Sequence, residues 1–316
     1  MKVLLIDVDS YKLPNLALMK LSSFFKDRGH QVFLNSCSNP DLVFVSCIYP
    51  ENEELAYEKA SFYPRKNVRF GGTGIDLETK LPEWVEHVKP DYSLYDVDFS
   101  MGFTSRGCIR NCPWCVVPEK EGKIRDHAPI WEFLHPGHNQ LVLLDNNFLA
   151  SPKWRKNLEI LRDFDLKVNF NQGLDIRLID EEKAGMLADV RYYDWKFDNR
   201  RLHFAFDLPQ LEEDVRRGVQ ILKDAGIPPD ELMFYELVGF NTDFGEDMHR
   251  FRVLAEELGV KPYVMRYNDR EGPYGILKHF DRWVNGRYYN FIRWEEYDHG
   301  NSQEAMAKVQ TDVPSV

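Results

Sequence analysis

Three cysteines fall within the eight residues Cys108-Ile109-Arg110-Asn111-Cys112-Pro113-Trp114-Cys115. The spacing is C-x3-C-x2-C, directly after an apolar run that ends in Phe103-Thr104-Ser105-Arg106-Gly107. Thiolates this close in sequence can hold three corners of one metal cluster. A cubane [4Fe-4S] cluster normally takes four cysteines, so three leave one iron with an open position for a substrate or cofactor. Zinc is the competing metal. A structural zinc site wants four N or S ligands, and His127, His135 or His138 could supply the fourth.

The bulk of the chain bounds what can surround such a site. It has 316 residues, enough for two ordinary domains, with 43% hydrophobic and 29% charged residues. A net charge of −11 argues against long nucleic acid as a partner, because phosphate binding rests on Lys and Arg. No apolar run reaches the ~18 residues of a membrane span, and the N-terminus turns acidic at Asp7. The expectation is a cytoplasmic protein with no membrane partner. Of five cysteines only Cys37 and Cys47 lie outside the motif, a clustering that points to metal in a reducing compartment rather than to a disulfide framework.

Two α/β regions are expected to position the motif. Residues 1–95 alternate strand-length apolar runs (Lys2–Val8, Gln31–Leu34, Asp41–Ile48, Val68–Phe70) with helical stretches, the pattern of a small parallel sheet of Rossmann or flavodoxin type. Gly71-Gly72-Thr73-Gly74 could bring backbone N–H groups to a phosphate or cofactor, or could simply turn the chain after a strand. Residues 76–97 read as a linker. From Phe99 onward six strand candidates follow: Phe99–Thr104, Gln140–Leu144, Leu166–Asn171, Leu202–Phe206, Glu231–Val238 and Pro262–Tyr267. Helical stretches at 153–163, 211–225 and 246–258 carry apolar residues on one face. The tail holds an aromatic block, Trp283 through Tyr297, expected to seal a barrel side, and then a polar end expected to be disordered.

The cysteine motif, with an aromatic residue before its last cysteine, resembles the signature of the radical S-adenosylmethionine (SAM) superfamily. The resemblance implies a partial (βα)6 TIM-like barrel over residues 96–270, a [4Fe-4S] cluster on Cys108, Cys112 and Cys115, and SAM at the open iron. It also implies that residues 1–95 resemble the cobalamin-binding domain often found there. That domain uses an Asp-x-His-x-x-Gly loop. After the first strand this chain has Asp7-Val8-Asp9-Ser10-Tyr11-Lys12, without His, so no cobalamin is expected. Residues 271–316 form a C-terminal segment outside the barrel.

Functional groups of such a barrel sit at the C-terminal ends of the strands. On that rule the resemblance makes Trp114 an adenine neighbour, with core packing as the alternative. Asp145-Asn146-Asn147 stand where many family members carry Gly-Gly-Glu to hold the methionine ammonium; an Asp-Asn-Asn turn is the other reading. After the third strand, Gln172 and Asp175 could meet ribose or substrate and Arg177 could clamp the SAM carboxylate, unless Asp175 and Arg177 only pair with each other. Asp207 ends the fourth strand, where it could also cap a helix. Gly239 ends the fifth and would let the adenine approach closely, and Arg266, Tyr267 and Asn268 close the sixth.

The implied function is reductive cleavage of SAM to a 5′-deoxyadenosyl radical that abstracts hydrogen from a small-molecule, peptide or nucleotide substrate, with flavodoxin or ferredoxin as electron donor. The alternatives are a methylthiotransferase acting on tRNA or protein, a cobalamin-dependent methylase, and a non-catalytic iron–sulfur protein. Methylthiotransferases use a second cluster on three N-terminal cysteines, where this chain has Cys37 and Cys47.

Overall fold

The computed structural model describes residues 1–9, 13–267 and 275–297. Ser10, Tyr11, Lys12, Asn268 and the polar tail from residue 298 lie outside the described residues.

The N-terminal region opens with β1 (Lys2–Asp7), whose Val3, Leu4 and Leu5 are fully buried, as a strand covered on both faces requires. Helix α1 (Leu16–Lys26) starts at Asn15, whose side chain accepts from the Leu18 N–H, and the chain turns out of it at Gly29 in the left-handed region. Then come β2 (Gln31–Leu34), β3 (Leu42–Ser46), α2 (Glu53–Ser61) and β4 (Val68–Gly71). The four strands are parallel, in the order β2-β1-β3-β4.

The glycine-rich run after β4 folds onto its own chain. The Gly74 N–H donates to Cys47 O at 3.0 Å, and the Cys47 N–H donates to Gly71 O at 3.0 Å. Gly72 has φ +101°, and a Cβ there would stand 2.0 Å from Cys47 O. The glycines are needed for a close backbone approach to β3, which accounts for their presence without a ligand.

Further on lie α3 (Glu83–Glu86), β5 (Ser100–Gly102), β6 (Ser105–Arg106), α4 (Val117–Lys120), β7 (Arg125–Asp126), α5 (Ile130–Phe133), β8 (Gln140–Leu143), α6 (Trp154–Asp163) and β9 (Lys167–Phe170). They are followed by α7 (Glu181–Ala188), β10 (Arg191–Tyr192), β11 (Leu202–Ala205), α8 (Glu212–Asp224), β12 (Leu232–Val238), α9 (Phe244–Arg252), β13 (Lys261–Arg266) and α10 (Ile276–Asn285). The six strands expected after residue 98 are all present, with ends shifted by a residue or two. β10 was not expected: it pairs with β9 through only two residues, too few for a period of two to register. Apart from β6 and β7, which pair with each other and were not expected either, these strands form two parallel sheets, ordered β10-β9-β8-β5 and β11-β12-β13. The architecture is α/β with several parallel sheets.

The chain divides into two units. The first comprises Met1–Gln172 with Asp189–Asn199, and the second comprises Gly173–Ala188 with the chain from Arg200 on. In the first, Met101, Val142 and Leu144 pack with Leu16 and Met19 of α1 and with Tyr92 and Phe197, so α1 covers one face of the β5–β8 pair. In the second, Val238 and Val264 pack under α9 (Met248, Phe251) and α10 (Phe280, Trp283, Val284), with Tyr297 joining them. The aromatic block therefore seals a sheet face of its own unit. Among the described residues no helix is long and apolar enough to cross a membrane.

Gly72→Ala is expected to cost roughly 2–4 kcal/mol of stability, since both the left-handed φ and the clash with a backbone oxygen oppose a methyl group. Urea unfolding of the variant against the parent measures it, and equal midpoints would mean that the turn does not constrain the fold.

Candidate functional site

Parallel pairing of β5, β8 and β9 brings the chain segments that follow them to one edge of a sheet. The cysteine loop follows β5, Asp145-Asn146-Asn147 follow β8, and Gln172 follows β9, all within the first unit.

The loop is closed at its base by protein contacts. β6 and β7 pair antiparallel, Ser105 opposite Asp126 and Arg106 opposite Arg125. The Cys108 N–H donates to Gly122 O at 3.1 Å. Gly107 has φ +80°, and a Cβ on it would meet Lys123 O at 2.3 Å, so the two sides of the loop touch through backbone there. Inside the loop, N–H groups are directed at sulfur. The Arg110 amide lies 3.3 Å from Cys108 Sγ, the Val117 amide 3.5 Å from Cys115 Sγ, and the Asn147 side-chain nitrogen 3.6 Å from Cys108 Sγ. Such donors stabilise negative charge on sulfur, which is what a cluster-bound thiolate carries. Cys108, Cys112 and Trp114 are half-buried and Cys115 is exposed; none of the three cysteines is in a disulfide. Among the described residues no group of three or more His, Cys, Asp or Glu is gathered on a single ion position.

Asp145 fastens the loop to β8. It is 2% exposed. One oxygen accepts from the Thr104 hydroxyl, the Ser105 hydroxyl and the Ser105 N–H, each at 2.6 Å, and the other from the Thr104 N–H at 3.0 Å. Burial pushes its pKa up, against the pull of the four donors. Both oxygens thus serve the chain leading into the motif, which differs from the ammonium-holding role expected of it. Of the same triplet, Asn146 accepts from the Gly107 N–H at 3.1 Å and Asn147, 4% exposed, reaches Cys108. Gln172 is exposed.

Arg106 ties the loop to the segment before it. Its two terminal nitrogens lie 2.6 Å from Glu86 Oε1 and 2.9 Å from Glu121 Oε1, and its guanidinium lies 3.7 Å over the Phe103 ring. Burial would raise the Glu86 pKa, but His127, Lys20 and Arg106 outweigh it and hold the carboxyl well below its ordinary range.

The second unit carries the remaining candidates. Arg177 is paired with Asp175 through two contacts, Nε to Oδ1 at 2.6 Å and Nη2 to Oδ2 at 3.1 Å, which is the mutual pairing the sequence left open. Asp175 also caps the following turn by accepting from the Arg177 N–H. Gly239 lies in the left-handed region and is exposed. Asp207 follows β11; burial raises its carboxyl to about 6, against the pull of Arg250, the Leu237 backbone and Arg177.

Sequence reasoning missed the group beside it. Arg250 of α9 is fully buried and donates to Phe206 O at 2.6 Å, Leu237 O at 2.8 Å and Asp247 Oδ1 at 2.6 Å. It clamps the ends of β11 and β12. Fully buried Glu236 lies 3.7 Å from Arg250 Nε and is pushed well above the ordinary carboxylate range by burial. A Glu in an otherwise apolar alternation, Phe234-Tyr235-Glu236-Leu237-Val238, is the signal that could have flagged it. The opposite face of the same sheet stacks His203 on Tyr235 at 5.7 Å and leaves Tyr263 and Met265 exposed.

In comparisons with known proteins no family model matches the chain, and no solved structure matches it. Over 250 residues, 69% of its length, it is 22% identical to the ribosomal protein uS12 methylthiotransferase RimO of Thermodesulfovibrio yellowstonii. The chain is similar to a methylthiotransferase. It spans 59% of that relative's length.

Asp207 sets a pH dependence with a definite sign. A carboxyl whose folded pKa, about 6, lies above its ordinary 3.8 gives stability that is complete below 3.8 and lost as pH rises through about 6. Asp207→Asn is therefore expected to gain on the parent across that window, reaching on the order of 2–3 kcal/mol at pH 8. Urea melts at pH 4 and pH 8 read the difference; a gap between variant and parent that does not move with pH would refute the shift.

Proposed function

We propose that this protein is a radical SAM enzyme in which Cys108, Cys112 and Cys115 ligate a [4Fe-4S] cluster. The observation that carries the reading is the set of N–H donors aimed at Cys108 and Cys115 within a loop closed at its base. Donors directed at sulfur and an open fourth position suit a three-thiolate cubane. When bound, the cluster and SAM supply a one-electron cleavage of the sulfonium and a carbon radical able to abstract hydrogen.

The protein's own part is to hold and orient. Asp145 fixes Thr104 and Ser105, and with them the direction in which the chain enters the loop. Asn147 and the Arg110 amide bear on the Cys108 sulfur. Trp114, Asn146, Asn147, Gln172, Asp175, Arg177, Asp207 and Gly239 are our candidates for SAM contacts. We take residues 96–270 as a partial barrel and residues 1–95 as a cobalamin-type fold that binds no cobalamin. In that fold Asp9 is occupied by the Ile48 N–H and by the Asn52 side chain. Electrons would come from flavodoxin or ferredoxin.

The similarity to RimO favours a methylthiotransferase as the second reading. Against it stand the N-terminal cysteines. There are two, and the Cys47 thiol is fully buried, donates to Tyr49 O, and is pushed up to about 11 by burial and by Asp9, a poor starting point for a thiolate ligand.

Anaerobic reconstitution should load about four irons per chain, and Cys112→Ala should abolish the cluster absorption. About eight irons would turn the assignment to the two-cluster reading, and an unchanged spectrum in the variant would sink the motif as the ligand set. The reduced, loaded protein should convert SAM to methionine and 5′-deoxyadenosine, read by chromatography.

A further inference from the structure

The stretch 76–91 grips the cysteine loop on both flanks. Beyond the cysteines, Lys120 Nζ of α4 donates to Thr79 O at 2.9 Å and Asp76 O at 3.4 Å. Asp76 in turn closes its own turn by accepting from the Glu78 and Thr79 amides. Before the cysteines, Glu86 Oε1 receives Arg106 Nη2 at 2.6 Å and lies 3.1 Å from His127 Nε2, which follows β7. The same oxygen receives Lys20 Nζ of α1 at 2.9 Å. Lys20, Glu86 and Arg106 are all largely buried, with side-chain exposures of 7%, 16% and 17%. One carboxylate oxygen therefore joins the N-terminal sheet's helix, the connecting stretch, β6 and the residue that follows β7.

Two properties of this joint bear on the loop. It is geometric, because Arg106 is two residues from Cys108 and is fixed on three sides by Glu86, Glu121 and Phe103. It is also electrostatic, because the Glu86 carboxylate lies between the Lys20 and Arg106 cations, with Glu121 as the second anion on Arg106, in a poorly solvated place where a change of charge acts at longer range than in water.

We propose that Glu86 is a positioning residue for the cysteine loop, and that the stretch 76–91 is a strap through which α1 fixes the loop's shape and the electrostatic field on the group it holds. The field half rests on the cluster reading above; the shape half does not. Glu86→Gln keeps the side chain's shape and removes the charge. Its amides over 105–126 should exchange hydrogen about tenfold faster than the parent's, because a buried, charge-assisted anchor is lost. In the reconstituted protein the cluster midpoint potential should rise in Glu86→Gln, which removes a negative charge beside Lys20 and leaves Arg106 with Glu121 alone, and fall in Lys20→Met. The double variant should return towards the parent. A residue that only fills space would produce no such opposed pair.

Exchange over 105–126 equal to the parent's in Glu86→Gln would overturn the proposal, as would midpoints that do not move in opposite directions. If Glu86→Gln does not fold, Arg106→Lys carries the test. It keeps the charge and loses the fork, and should show the faster exchange with an unmoved midpoint; unchanged exchange there overturns the proposal equally. A parent that binds no iron would defeat the cluster reading alone, and hydrogen exchange would still decide the strap.

Discussion

One buried carboxylate sets the frame for the candidate site. Asp145 leaves the end of β8 and takes four hydrogen bonds from Thr104 and Ser105, the residues that lead from β5 into the cysteine motif. A carboxylate in so dry a place is tolerated only because donors surround it, and removing any of them would leave charge or donors unsatisfied. The cost of burying Asp145 therefore enforces the local geometry. β5 and β8 must stay in register, and the chain must leave β5 in one direction. The ribbon of β6 and β7, the close passage at Gly107 and the amides facing sulfur all lie downstream of that fixed exit.

The second unit handles buried charge differently. Arg250 has no exposure and spends its donors on two strand-end carbonyls and Asp247, while Glu236 gains little and is pushed toward its neutral form. Replacing such groups by apolar ones of the same volume is often neutral or stabilising in proteins. What the guanidinium adds here is specificity, because it ties the ends of β11 and β12 at fixed points. Asp207 lies within the influence of this group, and its raised pKa is a property of the buried surroundings rather than of the residue alone.

Much of this was legible in the sequence. The β/α alternation is written in apolar runs of strand length and in helices with one apolar face, and those signals are local. Helix α1 could be placed from Leu16, Leu18, Leu21 and Phe25, and its stop from Gly29. The cysteines announced themselves by spacing. What could not be read was which polar residue does which job, because that depends on contacts between residues distant in sequence. Asp145 looked like a ligand-facing residue, and only its partners 40 and 41 positions earlier reveal it as an anchor. For Arg177 the sequence offered both a clamp and a pairing with Asp175, and only the geometry shows the pairing. Glu86 sat in a stretch that read as a linker and gave no sign that Lys20, Arg106 and His127 converge on it. The glycine-rich run shows the converse, since its composition invites a ligand and its geometry needs none.

The closed base of the cysteine loop has a further meaning for the life of the protein. In small metal-dependent domains the bound ion is itself the organising core, and its loss unfolds the chain. Here the ribbon, the Asp145 anchor and the backbone contact at Gly107 are made by protein groups alone. None of these contacts uses a cysteine sulfur. A change at a cysteine sulfur would therefore leave the base of the loop with all of these contacts, so what the loop holds and how the loop is anchored can vary separately.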